Sequence, residues 1–327
     1  MTVGIRDVAR AAGVSTATVS RALGRGPVSD ALREQVEAAV RATGYRPNLS
    51  ARRLRSQSAQ TIGLIVADIR NPFFTAVSRA VEDAAFASGM RVILCNTDED
   101  PAREAMYLRL MEEERVTGVI FAPTKGTADS LRDRPLGFPV VLIDRTGPPG
   151  THDSVVLDNP AAGAALVDHL VAQGYSRIGG LFGSTSSTAR ERRAGYEAAI
   201  ARHGLTPAIR TVAPNAEAAE AEARRWLGAE DRPEALVLSN GLILMGAVRA
   251  ARAQGLAIPR DLALAGFDNE PWTDLVEPGL TVIEQPVAEI GAQAMRLLFE
   301  RIESPEQPVR KVMLSGRMIA RGSTQAR

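Results

Sequence analysis

The sequence predicts an α/β protein in two unlike parts: a small all-helical head over residues 1–46 and a larger α/β body over residues 61–327. Three observations predict it. The first forty-odd residues hold three segments with helical apolar spacing and no strand pattern. From Thr61 onward, short apolar runs alternate with helical stretches, as expected for parallel sheets with crossover helices. Charge divides at the same place. Residues 1–60 carry ten Arg against four acidic residues, and the remainder carries 29 basic against 34 acidic groups, although the whole chain nets only +1.

The head is legible element by element. Ile5, Val8, Ala9 and Ala12 share one face of a first helix. Gly13 suits the positive φ that ends it, and Ser15 is an N-cap for the next, Thr16 to Leu23. There Val19, Ala22 and Leu23 face inward, while Thr16, Ala17, Thr18 and Arg21 stay outside. A third helix, Ser29 to Thr43, opens with a capping pattern and buries Leu32, Val36, Ala39 and Val40. Helix, tight turn, helix is the arrangement that sets a helix into the major groove. Small residues at its start allow close approach to base edges, and Arg21 offers a bidentate donor for guanine. The bland reading is a three-helix domain with no DNA role. The basic head on a mildly acidic body favours a phosphate binder. Ser20 and Arg25 complete the candidate DNA-facing set.

The segments IRDVARAAGVSTATVSRAL, VSDALREQVEAAVRATGYRPN and SARRLR resemble the N-terminal signature of the LacI/GalR family of bacterial repressors. The resemblance continues through the body and covers nearly the whole chain. One departure stands at the start, where Gly4 replaces the Thr that usually caps the first helix; glycine is a tolerable cap, so a slightly weaker helix start is expected. Residues 47–60 read on their own as a polar, Arg-rich linker. The resemblance implies instead a hinge helix that folds when two copies meet on DNA. On that reading Leu54 is the minor-groove wedge, Ala51 packs beside it, and Arg52, Arg53 and Arg55 meet phosphate.

In the body, TIGLIVA is a strand, followed by a helix from Pro72 to Ser88. RVILC leads to the helix Pro101 to Glu114, and GVIFA, PVVLID and SVVL continue the series. RIGGLFG, ALVLS and LALAGFD are later strands. No GxGxxG follows the first strand, so a dinucleotide site is not read. The resemblance implies a Rossmann-like body of the periplasmic-binding-protein type, with two lobes facing a cleft. The chain would cross between lobes near Leu157-Asp158, Ile283-Glu284 and Val312-Leu314. That gives an N-lobe of about 61–157 and 285–312 and a C-lobe of about 158–284 and 313–327.

Ligands of doubly wound sheets meet residues just beyond the carboxyl ends of strands. Asp68, Asn71, Phe73, Phe74, Asp144, Arg145, Asn240 and Asp268 stand there. Each alone is as well read as a cap, loop or core residue, and at least one of Phe73 and Phe74 is expected in the core. The segment RRAGYEAAI resembles the family's Arg-x-x-Gly-aromatic motif, which makes Arg192 the effector clamp and Arg190 the poorer candidate. Asp268 matches the Asp of the family's Gly-Phe-Asp-Asp motif. Two departures bear on the ligand: Asn240-Gly241 stands where the family commonly has Asn-Asp, and residues 213–216 hold no aromatic lid. Trp272 is the candidate to take over stacking. The segments SNGLILMGAV, FDNEPWTDL and IEQP resemble members that sense keto- or uronic-acid sugars, and Arg70, Lys125, Arg145 and Arg192 would add positive charge.

Several classes fall away. No run of about 18 apolar residues is present, and the N-terminus lacks a signal-peptide pattern. Cys95 is the single cysteine, and His152, His169 and His203 have no ligand spacing, so neither an intramolecular disulfide nor a metal site is read. No nucleophile elbow, P-loop or zinc motif points to an enzyme. No cofactor is expected beyond a small effector, a sugar or sugar acid. The expected protein is a cytoplasmic, nucleoid-associated homodimer on operator DNA, with a tetramer left open. The alternative is a periplasmic-type sugar-binding protein without regulatory role.

Overall fold

A computed structural model describes residues 3–23, 27–45, 60–133 and 136–325. The chain divides into two units, Met1–Ala59 and Gln60–Arg327. The hinge residues Ala51, Arg52, Arg53, Leu54 and Arg55, and Arg25 in the head, lie outside the described residues.

The head is α1 (Ile5–Ala11), α2 (Thr16–Leu23) and α3 (Asp30–Thr43). Val8, Ala9 and Ala12 of the first segment meet Val19 and Ala22 of α2 and Val36 and Ala39 of α3, with Ile5, Leu23 and Val40 at the edge. Leu32, expected in this core, is only half-buried and stays outside the cluster. The turn passes through Gly13 at φ +60°. Ser29 is the N-cap of α3, but its side chain makes no cap bond. A reciprocal cap needs Glu or Gln three residues on, and Leu32 stands there. Polar side chains of α3 satisfy carbonyls at the ends of the other helices. Gln35 Nε2 donates to Ala12 O at 2.9 Å, and Arg33 Nη1 donates to Ala22 O at 2.7 Å.

The body holds two six-stranded sheets. The N-lobe strands are β1 (Thr61–Val66), β2 (Arg91–Asn96), β3 (Gly118–Phe121), β4 (Val140–Ile143), β5 (Asp153–Leu157) and β11 (Lys311–Leu314). They lie in the order β11-β5-β4-β3-β1-β2, all parallel. The C-lobe strands are β6 (Ile178–Gly183), β7 (Ala208–Val212), β8 (Ala235–Leu238), β9 (Ala263–Phe267), β10 (Thr281–Glu284) and β12 (Arg317–Ile319). Their order is β12-β10-β9-β8-β6-β7, with only β12 antiparallel. The two orders correspond strand for strand.

Each sheet is covered on both faces, which is why its central strands read as unbroken apolar runs. On β1, Ile62, Leu64 and Val66 pack toward α4 (Pro72–Ala87) and α12 (Val287–Glu303). Ile65 points the other way, against Leu108 and Met111 of α5 (Pro101–Glu113). In the C-lobe, Leu236 and Leu238 join one cluster while Ala235 and Val237 join the other. The edge strand β7 is mostly exposed and shows no alternation, so the sequence pattern passed over it.

The chain leaves the N-lobe after β5 for α7 (Asn159–Ala172) and returns from β10 into α12. It crosses a third time between Leu314 and Arg317. The expected N-lobe limit at residue 312 is two residues too early, because β11 pairs with β5 through Leu314↔Leu157.

Candidate DNA-facing helix and ligand cleft

Helix α2 presents Thr16, Ala17 and Arg21 to solvent, with Thr18 and Ser20 half-buried. Ser15 Oγ accepts the Thr18 N–H at 3.1 Å and also meets Thr18 Oγ1 at 2.9 Å. The Thr18 hydroxyl is therefore partly engaged in capping. Arg21 reaches only the Ala17 carbonyl, through Nε at 3.4 Å, which leaves both terminal nitrogens of the fork for a base edge.

In the body, each sheet reverses its winding beside its first strand, at the ends of β1 and β3 in one lobe and of β6 and β8 in the other. One cavity between the lobes takes residues from both switch points. It is lined by Asp68, Asn71, Phe73, Phe74, Asp144 and Arg145 from the N-lobe, and by Arg192, Asn240 and Asp268 from the C-lobe. Those are nine of the sequence-read candidates. The tenth, Trp272, does not line it. Trp272 lies in α11 (Pro271–Leu275), packs against the C-lobe core and donates through Nε1 to Glu270 Oε2 at 2.6 Å. Trp272, expected to replace the missing aromatic lid, thus stands outside this lining.

Two aspartates hold equivalent places, Asp144 after β4 and Asp268 after β9. Both have positive φ, +63° and +76°. Such angles are costly for a non-glycine residue and persist where the surroundings fix them. Thr188 Oγ1 donates to Asp144 Oδ2 at 3.3 Å. Burial pushes the Asp144 carboxyl above the usual range, opposed by Arg145 and Arg192. Asp268 Oδ2 accepts from Gly241 N–H at 2.9 Å, and Oδ1 accepts from Gln285 Nε2 at 2.6 Å.

The two arginines of the cavity differ. Arg145 is held by carboxylates: Nη1 donates to Glu99 Oε2 at 3.0 Å, Nη2 pairs with the other Glu99 oxygen, and Nε meets Asp144 Oδ2 at 3.3 Å. Nη1 also donates to Pro123 O at 3.0 Å. Burial opposes its charge, but Glu99 and Asp144 outweigh burial and raise its pKa. Arg192 is held by neutral groups: Nε donates to Asn159 Oδ1 at 2.8 Å and Nη1 to Ser239 O at 2.6 Å. Its guanidinium carbon stands 3.9 Å from the centre of the Phe267 ring. Burial lowers its pKa, against Asp268 and Asp144. Arg192 rides on α8 (Ser187–Arg202), which packs closely on α7, and any side chain at Gly195 would strike the Pro160 carbonyl.

Phe73 and Phe74 touch the cavity yet belong to the N-lobe core, their rings edge to face at 5.1 Å. Arg70 and Lys125 do not line it. Arg70 is exposed and engaged by Asp68 at 2.9 Å, and Lys125 starts the short helix α6 (Lys125–Ser130) outside the lining. Arg190 is exposed. The cavity also takes Glu99, Thr188, Ser239 and Gln285, which the sequence reading missed. Ser239 and Gln285 follow β8 and β10 directly, so the strand-end rule applied one residue more widely finds both.

The family profile described as "Bacterial regulatory proteins, lacI family" matches residues 4–48. The one described as "Periplasmic binding protein-like domain" matches residues 167–324. The HTH-type transcriptional regulator PtxS of Pseudomonas plecoglossicida is 36% identical over 330 residues, covering 99% of this chain and 96% of the relative. The ribose operon repressor of Halalkalibacterium halodurans is 34% identical, covering 98% and 97%. Among solved structures, the lac repressor dimer bound to operator and the anti-inducer ONPF superposes with a TM-score of 0.89 at 25% identity, covering 100% of both chains.

Proposed function

The chain belongs to the lacI family of bacterial regulatory proteins, which are DNA-binding transcription regulators and not enzymes, and from that premise we propose that it is a repressor whose operator affinity is set by a small polyhydroxylated effector, a sugar or sugar acid, held between its lobes. One observation carries the reading. The strand-end carboxylates Asp144 and Asp268 and the neutrally held Arg192 converge on one cavity from two lobes. Carboxylates and amides accept hydroxyl protons, and a guanidinium donates in return. A flat aromatic ligand fits less well, because among the described residues the lining holds no aromatic rings but the core pair Phe73 and Phe74. A ligand that favours one lobe arrangement over the other shifts operator affinity by that difference. The match over residues 4–48 sets aside a sugar-binding protein without regulatory role.

DNA is read as a dimer on a near-palindromic site, since one head spans too few base pairs. The similar lac repressor structure is a dimer bound to operator, which supports this. The contact we propose is the N-lobe, including α4. The work of such a protein is in the cytoplasm, on the nucleoid; no described helix is long and apolar enough to cross a membrane.

Thermal-shift screening of the full chain against sugars, sugar acids and nucleobases tests the effector class, because a ligand of the native state raises apparent stability. A hit among polyhydroxylated compounds that also changes operator binding is expected. A response to nucleobases alone would refute the class. Sedimentation of residues 61–327 tests the dimer contact, and a body that stays monomeric at micromolar concentration counts against it.

A further inference from the structure

We propose that Glu270 is a positioning residue for the ligand cleft: it stands outside the cavity lining, behind Asp268, in the space that the missing side chain of Gly241 leaves, and keeps Asp268 in place. The proposal rests on the reading of the cleft as an effector site. Gly241 opens α10 (Gly241–Ala253), directly after the cavity residue Asn240. A Cβ there would stand 2.5 Å from Glu270 Oε1, 3.3 Å from Glu270 Cδ and 3.4 Å from Asp268 Cβ. The Gly241 N–H is itself the donor to Asp268 Oδ2, at 2.9 Å. Glu270 and Gly241 thus pack directly behind Asp268, which alone of the three lines the cavity, and the carboxyl at 270 takes the place that a side chain at 241 would fill.

Glu270 is only 8% exposed. Trp272 Nε1 holds its Oε2, while Oε1 is buried and has no hydrogen-bond partner. An unpartnered buried oxygen costs free energy, and a native structure that keeps one has a use for it. Here that oxygen faces the start of a 13-residue helix, where partial positive charge favours an acceptor. Burial, with the Asp268 charge adding to it, pushes the carboxyl pKa up. The carboxyl backs Asp268, and a side chain at 241 would displace it and move the Gly241 N–H that holds Asp268 Oδ2.

The test uses the full chain with D-ribose, D-gluconate, D-glucosamine and adenine as probes. Affinity is read by calorimetry, and Trp272 fluorescence reports the Glu270 contact. Operator binding without probe checks folding. For the probe that binds, Gly241→Ala and Glu270→Ala should each weaken affinity by about tenfold or more, and the double variant no further, because both remove one arrangement. Glu270→Gln keeps the shape and an acceptor for Trp272, and should stay within about threefold of the parent. The fluorescence change on binding should persist in Glu270→Gln and vanish in Glu270→Ala. Lower melting temperatures with unchanged affinity, or losses that add in the double variant, would overturn the proposal and leave the cleft reading standing. Binding of adenine alone would overturn the polyhydroxylated class, and the same variants scored with adenine then decide for or against Glu270. No binding of any probe would overturn both.

Discussion

Arg21 of the head and the two cavity arginines of the body do opposite work. In the head, Arg21 is exposed and, among the described residues, hydrogen-bonds only to one backbone carbonyl in its own helix, at 3.4 Å. In the body, Arg145 and Arg192 are 5% and 3% exposed, and their nitrogens are engaged inside the protein. An arginine left in water is free to exchange its hydration for a phosphate or a guanine edge. A buried one must be matched internally, and the kind of match decides what it can still do. Arg145, enclosed by Glu99 and Asp144, is a brace between the β4 end and the loop before α5. Arg192, held by an amide and a carbonyl, keeps charge that a ligand can use. Net charge does not separate these cases; partners do.

Removing the brace tests this division most severely. Arg145→Ala leaves the half-buried Asp144 and Glu99 without their cation, and stability should fall by about 2–4 kcal/mol. Urea denaturation of the chain measures it. A loss under about 1 kcal/mol would mean that the pair is no brace.

Arg192→Ala and Asp268→Ala come next. Each should weaken the effector by about 1.5–3 kcal/mol or more, the worth of a charged hydrogen bond, while operator affinity without effector stays unchanged. Calorimetry and operator titration on the same preparations separate the two. Parent-like effector affinity in both variants would remove the cleft assignment.

Arg21→Ala is the counterpart in the head. It should weaken operator binding by about 1–3 kcal/mol and relax preference at one base pair per half-site. Effector affinity should not change. Equal losses on operator and random DNA would show that Arg21 meets phosphate and not a base.

The head was legible almost completely, because its three helices are short, local and amphipathic, and Val8, Val19 and Val36 declare their faces in the sequence. The body's strands were legible where burial on both faces made apolar runs, as in TIGLIV; β7, an edge strand with mostly exposed residues, and β10, a buried run of only four residues, were missed. Strand-end polar residues were legible because doubly wound sheets place ligands there. What stayed hidden depends on contacts distant in the chain. Glu99 meets Arg145 across 46 residues, and nothing local marks Glu99 as part of the wall. Trp272, read as a stand-in for the missing aromatic lid, lies outside the lining because its five-residue helix packs it on the C-lobe core, a placement that nothing local in the sequence declares.

The smallest expected effect returns to the start of the head. Gly4 is the N-cap of α1, with extended backbone at φ −108° and ψ 171°. Its N–H donates to Asp7 Oδ2 at 2.9 Å, so half of a reciprocal cap already exists. The missing half is a side-chain oxygen at residue 4 to accept from the first turn. There is room for it, since a Cβ on Gly4 would find its nearest neighbour, Asp7 Oδ2, 3.8 Å away. Gly4→Thr should therefore stabilise α1 by a few tenths of a kcal/mol, the usual margin between glycine and a hydroxyl cap. Hydrogen exchange of the α1 amides is the sensitive measurement, because it reads local opening where global melting is dominated by the body. Protection in α1 should rise slightly while α2 and operator affinity stay as they are, since α2 carries the base-facing side chains. Reduced protection would show that the threonine disturbs the Asp7 contact, and that the glycine is retained at this position for the cap it already makes.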